Sequence, residues 1–245
     1  MINEDLVAQL KGLKLLGMSE AAKGMLILPP NMRPSLESAL STLISAEQRN
    51  RDDKRTARLL KASKLKMRPY VEDVICTIER NLTKETFEQF ADCGFIRRGE
   101  NLIITGLPGC GKTFITWALG HQACMLGIRT LFLGMTHFIE QIKRARCEGT
   151  YADLLLQLNK YELLILDDFG IHQLNADTRL ALLTIIDDRL ESLGKSVIIT
   201  SQLPFERWHT YLAEPTIADA IIDRISSSSH NIDLTGPTMR KSLIS

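Results

Sequence analysis

The sequence predicts an α/β fold, a parallel sheet sandwiched between helices, preceded by a small all-helical domain. Three observations predict it. Beyond Pro69 four short apolar runs, 101–105, 130–134, 163–167 and 197–200, alternate with helix-length amphipathic stretches, the pattern of a parallel sheet covered on both faces. Before Pro69, apolar residues recur at three- and four-residue spacing with no strand pattern. Charge divides at the same place: of 30 Lys and Arg and 29 Asp and Glu, residues 1–70 hold 13 and 7, leaving the remainder acidic. The expected domains are therefore 1–69 and 70–245.

In the first domain Leu6, Leu10, Leu13 and Leu16 mark a helix for which Gly17 is the expected C-cap, and Ser19 is expected to cap a second. Pro29, Pro30 and Pro34 interrupt the pattern before Ser35 opens a third helix with Leu36, Leu40, Leu43 and Ile44 on one face. A basic stretch follows from Arg49 to Arg68 and stops at Pro69. The composition, 24% charged and 44% apolar, is that of a globular protein. No apolar run approaches the roughly 18 residues of a membrane span. The opening MINEDLVAQL lacks the basic-then-apolar order of a secretory leader, so a cytoplasmic location is expected. Cys76, Cys93, Cys110, Cys124 and Cys147 are odd in number and form no CxxC, which argues against a disulfide framework or a zinc site.

Directly after the first apolar run of the second domain stands GLPGCGKT, Gly106, Leu107, Pro108, Gly109, Cys110, Gly111, Lys112 and Thr113, followed by a helical pattern from Phe114. This strand, loop and helix is the context the GxxxxGK[ST] motif requires. Glycines let successive N–H groups converge on a phosphate, and the helix N-terminus adds its dipole. Lys112 is placed to reach the β- and γ-phosphates and Thr113 to coordinate magnesium. ATP and Mg2+ are the expected cofactors, with Thr113 and Asp167 at the metal. LLILDD buries four apolar residues and brings Asp167 out at the strand's carboxyl end. The adjacent Asp168 either polarises an attacking water or caps the turn after a buried strand.

Two other signatures overlap this strand. Asn159 to Glu162 approximates the guanine-reading NKxD but precedes the metal strand and ends in Glu, so it reads as the strand's polar lead-in. Asp168-Phe169-Gly170 spells the kinase metal motif without the catalytic loop or glycine-rich lid that a kinase needs, which leaves Phe169 as a packing residue. Downstream, Gln202 after the 197–200 run is either a plain strand exit or a polar contact to the γ-phosphate. Arg224 is either a surface ion pair or a group reaching the nucleotide of a neighbouring subunit.

Together GLPGCGKT, LLILDDFG, VIITSQLPFERWHTYLAEPTIADAIIDR and the terminal GPTMRK resemble the AAA+ ATPases, and within them the IstB-like transposition helper ATPases, relatives of DnaC-type helicase loaders. The leading segment with KLLGM is also similar to that family's N-terminal domain. The resemblance implies Gln202 as a first sensor, Arg224 as an arginine finger acting in trans within a ring or spiral homo-oligomer, and Arg240 as the candidate second sensor. Phe114 stands where the family usually has histidine, and SSSSH replaces a more apolar helix before His230. The resemblance also implies an ATPase stimulated by assembly and DNA, which binds duplex DNA without strong sequence preference and recruits a cognate transposase. Lys54, Arg55, Arg58, Lys61 and Lys64, with Lys143, Arg144 and Arg146 on a second helix, are the candidate phosphate contacts. The alternatives are a replicative helicase loader and a nucleotide-gated DNA-binding module in which hydrolysis is incidental.

Overall fold

The computed structural model describes residues 2–239, and the chain divides into two compact units, 1–58 and 59–245. The division falls before the Pro69 boundary expected from composition. Segment 59–69 belongs with the second unit because Ser63 and Leu65 are buried there, and the Ser63 carbonyl accepts from Phe132 N–H at 2.8 Å.

The first unit contains α1 (Ile2–Gly12), α2 (Leu16–Ile27) and the start of α3 (Leu36–Ala62). Two expected caps are corrected. The first helix ends at Gly12, the chain turns through Lys14 in the left-handed region, and Gly17 lies inside α2 as a buried residue. Its N–H donates to the Glu47 carboxylate of α3 at 2.9 Å, as does that of Met18 at 3.3 Å, so an acid from another helix caps α2. A Cβ at Gly17 would collide with the Ala46 carbonyl. Ser19 is likewise interior to α2, and its hydroxyl donates to the Val7 carbonyl at 3.3 Å. Ser35 does precede α3, with Ser38 N–H donating to its hydroxyl at 3.4 Å. Leu36, Leu40 and Ile44 are exposed.

The second unit is built on five parallel strands, β1 (Asn101–Gly106), β2 (Thr130–Gly134), β3 (Leu163–Phe169), β4 (Ser196–Ser201) and β5 (Ser229–Leu234), in the order β2-β3-β4-β1-β5. Around them run α4 (Lys84–Ala91), α5 (Gly94–Arg98), α6 (Lys112–Met125), α7 (Met135–Glu148), α8 (Tyr151–Asn159), α9 (Ala176–Leu190), α10 (Trp208–Leu212) and α11 (Pro215–Ser226). Alternate residues of one strand enter opposite cores. Leu102 and Ile104 pack with Ile115 and Leu119 of α6, while Ile103 packs with Trp208 and Ile221. Both faces are thus covered, as a near-continuous apolar strand requires. The fifth strand has no counterpart among the four apolar runs. Only its Ile232 and Leu234 are buried, and it pairs on one side alone, with β1 from Asn101↔Ser229 to Gly106↔Leu234. No helix of the described residues is long and apolar enough to cross a membrane.

This order decides the site. A parallel sheet presents its ligand-binding loops at the carboxyl ends of its strands. Because β4 lies between β1 and β3, its last residues stand between the phosphate loop and the two acids.

Candidate functional site

Strand β1 ends at Gly106, and the loop turns through Gly109 (φ 84°) and Gly111 (φ 92°) before α6 begins at Lys112. Both glycines need the left-handed region and close approach. A Cβ at Gly109 would lie 2.9 Å from Thr238 Cβ, and one at Gly111 would lie 2.7 Å from the Arg80 guanidinium. Leu107 and Pro108 are exposed, Cys110 is buried, and Phe114 packs half-buried against the α6 side of the core. The first N–H groups of α6 carry the helix's positive end toward this loop. Lys112 is buried, and its ammonium donates to the Gly106 and Leu107 carbonyls at 2.7 and 3.1 Å.

Asp167, also buried, faces the loop across β4. The Thr113 hydroxyl lies 3.1 and 3.0 Å from its two carboxylate oxygens, and the Thr200 hydroxyl donates to one of them at 2.6 Å. Burial pushes the Asp167 pKa up, and the neighbouring Asp168 charge adds to that. Thr200, Thr113 and Lys112 pull the other way. Asp168 itself sits in a β-bulge between Leu166 and Phe169 with φ 64°, a left-handed conformation that aspartate tolerates better than most residues. Its N–H donates to Thr200 Oγ1 at 3.0 Å. One hydroxyl therefore organises both acids.

The family model described as IstB-like ATP binding protein matches residues 8–244. The chain belongs to that family. It is 35% identical to an insertion sequence ATP-binding protein of Sinorhizobium fredii over 241 residues, 98% of each chain. It is 39% identical over 205 residues to the insertion sequence IS1162 ATP-binding protein of Pseudomonas fluorescens, 83% of this chain and 88% of the relative. Among solved structures, the DnaC helicase loader superposes with a TM-score of 0.54 at 19% identity, covering 73% of this chain and 99% of that one. The likeness is one of fold.

Elsewhere in the IstB-like chain the expected site residues fall in separate places. Gln202 stands half-buried just past β4. Before it, Ser201 fixes the strand exit by donating to the Phe169 carbonyl at 2.7 Å and accepting from Leu203 N–H at 3.0 Å. Arg224 lies on α11 shortly before β5, at the end of the sheet where strands begin. There it pairs with Asp187 of α9 and donates to the Ala220 carbonyl at 3.1 Å. Its own phosphate loop is at the opposite end. Arg240 lies outside the described residues.

Lys54, Arg55, Arg58 and Lys61 are exposed along α3, and Lys64 is exposed just beyond it. Lys143 and Arg144 are exposed on α7, but Arg144 shares a groove with Glu148 and Asp153. Arg146 is committed locally, with Asp177 at 3.2 Å and the Tyr151 ring 3.5 Å from its guanidinium carbon. Asn159 is the last residue of α8, and Glu162 immediately precedes β3. Asn159 accepts from Lys195 at 2.6 Å and Glu162 from Arg129 N–H at 2.9 Å, far from any base-reading role. Phe169 is fully buried against Trp208 and Tyr211.

Sequence reasoning missed Thr200, although a signal was present. A threonine at the end of the apolar run VIIT, in the strand next to LLILDD, is a buried hydroxyl with little else to bond but the acid beside it. It also missed Arg80, a buried arginine from the turn Ile78–Arg80 that holds the Cys110 carbonyl at 2.8 Å.

Proposed function

We propose that the chain is an ATP-driven helper of insertion-sequence transposition, which assembles on duplex DNA in the ATP state and recruits or activates the transposase. The observation that carries this reading is the convergence of Thr113 and Asp167, 3.0 Å apart, beside the buried Lys112 and the glycine-rich loop. A hydroxyl and a carboxylate are the hard oxygen donors magnesium prefers. Thr113 and Asp167 would therefore be the residues that hold the ion. When bound, the ion neutralises charge on the β- and γ-phosphates.

The chain's own groups do the rest. Loop N–H groups and the α6 N-terminus orient the phosphates, and Lys112 exchanges the Gly106 and Leu107 carbonyls for phosphate oxygens. Asp168 accepts a proton as water attacks the γ-phosphorus and ADP leaves. Its backbone, fixed through Thr200, sets where that carboxylate stands. Arg224, remote from its own loop, serves the site of a neighbour in a head-to-tail assembly, whose repetition gives a ring or spiral. Gln202 acts as a first sensor of the γ-phosphate. The basic residues of α3, with Lys64, Lys143 and Arg144, contact DNA phosphates, which confers affinity without base preference.

Identity with insertion-sequence relatives over 98% of the chain favours transposition over helicase loading, because the likeness to DnaC is confined to fold. Lys112→Ala tests the reading. It should lose both ATP binding and ATP-dependent retention on a duplex DNA surface, and retention equal to wild type would overturn it.

A further inference from the structure

We propose that Arg80 is a positioning residue of the nucleotide site, which holds the Cys110 carbonyl from behind the phosphate loop so that the Cys110–Gly111 peptide presents a fixed, polarised N–H to a diphosphate. The inference rests on the reading that nucleotide binds in this loop, and it adds a cation that the loop motif does not contain.

Arg80 is 7% exposed. Its Nη2 donates to the Cys110 carbonyl at 2.8 Å, its Nη1 donates to the Ile75 carbonyl, and its Nε has no partner. Its bonds go to neutral carbonyls, and no carboxylate pairs with it among the described residues. Burial pulls its pKa down, as it does for a cation without a matching anion. Retaining a buried, unpaired guanidinium is costly, and an anionic ligand on the other side of the same peptide would offset that cost.

The arginine is held rigidly to do this. Asn81, in the left-handed region at φ 52°, donates its amide to the Asp233 carbonyl at 2.9 Å. Thr235 N–H donates to the Arg80 carbonyl at 3.1 Å, and the Thr235 hydroxyl donates to the Glu79 carbonyl at 2.7 Å. Edge strand β5 and the residues after it therefore brace the turn that carries Arg80. Three further loop carbonyls are taken, Gly106 and Leu107 by Lys112 and Gly109 by Met239 N–H at 2.9 Å. Arg80 differs from Lys112 in that it stays on its carbonyl when phosphate arrives. A cationic donor on a peptide oxygen strengthens the N–H of the same peptide, because hydrogen bonds in a chain polarise one another.

Equilibrium titration of the full chain with fluorescent N-methylanthraniloyl ATP, ADP and AMP tests this, in wild type, Arg80→Gln, Arg80→Lys and Lys112→Ala. Arg80→Gln should weaken ATP and ADP about tenfold, equivalent to about 1.4 kcal/mol, and leave AMP within about twofold, since AMP has no β-phosphate. Arg80→Lys should recover part of the loss. A purely structural arginine would weaken all three nucleotides in parallel, and that result overturns the proposal, as does wild-type ADP affinity in a folded Arg80→Gln. Should Arg80→Gln fail to fold, Arg80→Lys is read alone. An ADP-selective loss of about threefold then supports the role and wild-type ADP affinity overturns it. Wild type that binds no ADP, or Lys112→Ala that binds like wild type, would instead overturn the underlying assignment of the loop.

Discussion

Thr200→Val removes one hydroxyl and almost no volume, yet that hydroxyl makes two bonds at the centre of the site. It donates to the Asp167 carboxylate at 2.6 Å and accepts from Asp168 N–H at 3.0 Å. A hydrogen bond to a charged group is worth about 1.5–3 kcal/mol, and an orphaned, partly buried N–H costs about 1 kcal/mol more. Packing of the valine methyl recovers some of this, so unfolding free energy should fall by about 1–3 kcal/mol. The functional loss should be larger in proportion. Asp167 loses the foremost group pulling its pKa down and keeps Thr113 as its one hydroxyl partner, so a larger fraction is protonated and unable to hold a cation. ATP hydrolysis titrated with magnesium at several pH values reads this directly. The expected result is a roughly tenfold to hundredfold drop at pH 7, a higher half-saturating magnesium concentration, and partial recovery as pH rises. A wild-type magnesium curve in the folded variant would refute the role of Thr200.

Asp167→Asn should raise the urea midpoint at pH 7 while abolishing hydrolysis. Because the folded pKa of Asp167 is raised, its stabilising contribution is fully present below about pH 4, the ordinary aspartate range, and is lost as pH rises through the folded pKa. The gain from Asn should therefore vanish in acid, and a lower midpoint at pH 7 would contradict the sign. Gly17→Ala drives a methyl into the Ala46 backbone and should destabilise the first unit by about 1–3 kcal/mol, visible as an earlier helical transition by circular dichroism; an unchanged melt would show that the approach relaxes freely. Arg224→Ala loses a partly exposed pair with Asp187, worth under about 1 kcal/mol, but should lower hydrolysis by about 10³ or more. Mixing it with Lys112→Ala should restore turnover, since one variant keeps the site and the other the finger, and no restoration would place Arg224 outside a neighbour's site.

The parts of the fold legible in the sequence were those where burial is two-sided. Asn101 to Thr105, Thr130 to Gly134, Leu163 to Asp167 and Val197 to Thr200 all lie inside observed strands because both faces of each are covered, leaving apolar runs that admit one reading. The fifth strand escaped because Ser229, His230 and Asn231 stay partly exposed, unlike most residues of the other edge strand β2, so SSSSH gives no apolar signal. Gly17 was misread for a different reason. Its cap comes from Glu47, thirty residues away, and local spacing carries no information about such a partner. At the site, loop and acids were legible because phosphate chemistry demands glycine, lysine and hydroxyl at fixed spacing. Thr200 and Arg80 were not, because their roles follow from strand order and from a turn folding under the loop. The left-handed Asp168 is intermediate. Two acids before Phe-Gly mark a strand end, but the bulge that puts Asp168 in the left-handed region appears only once β3 is paired with β4.

The central claim is that Asp167 and Asp168 divide the work, one for the metal and one for the water. Phosphate release by Asp168→Asn in ATP, magnesium and duplex DNA, measured alongside the mass of the DNA-bound assembly, tests it most directly. The division predicts an assembly of wild-type mass whose phosphate release falls by at least about 100-fold, the usual contribution of a positioned base. Release at the wild-type rate from that assembly would contradict it.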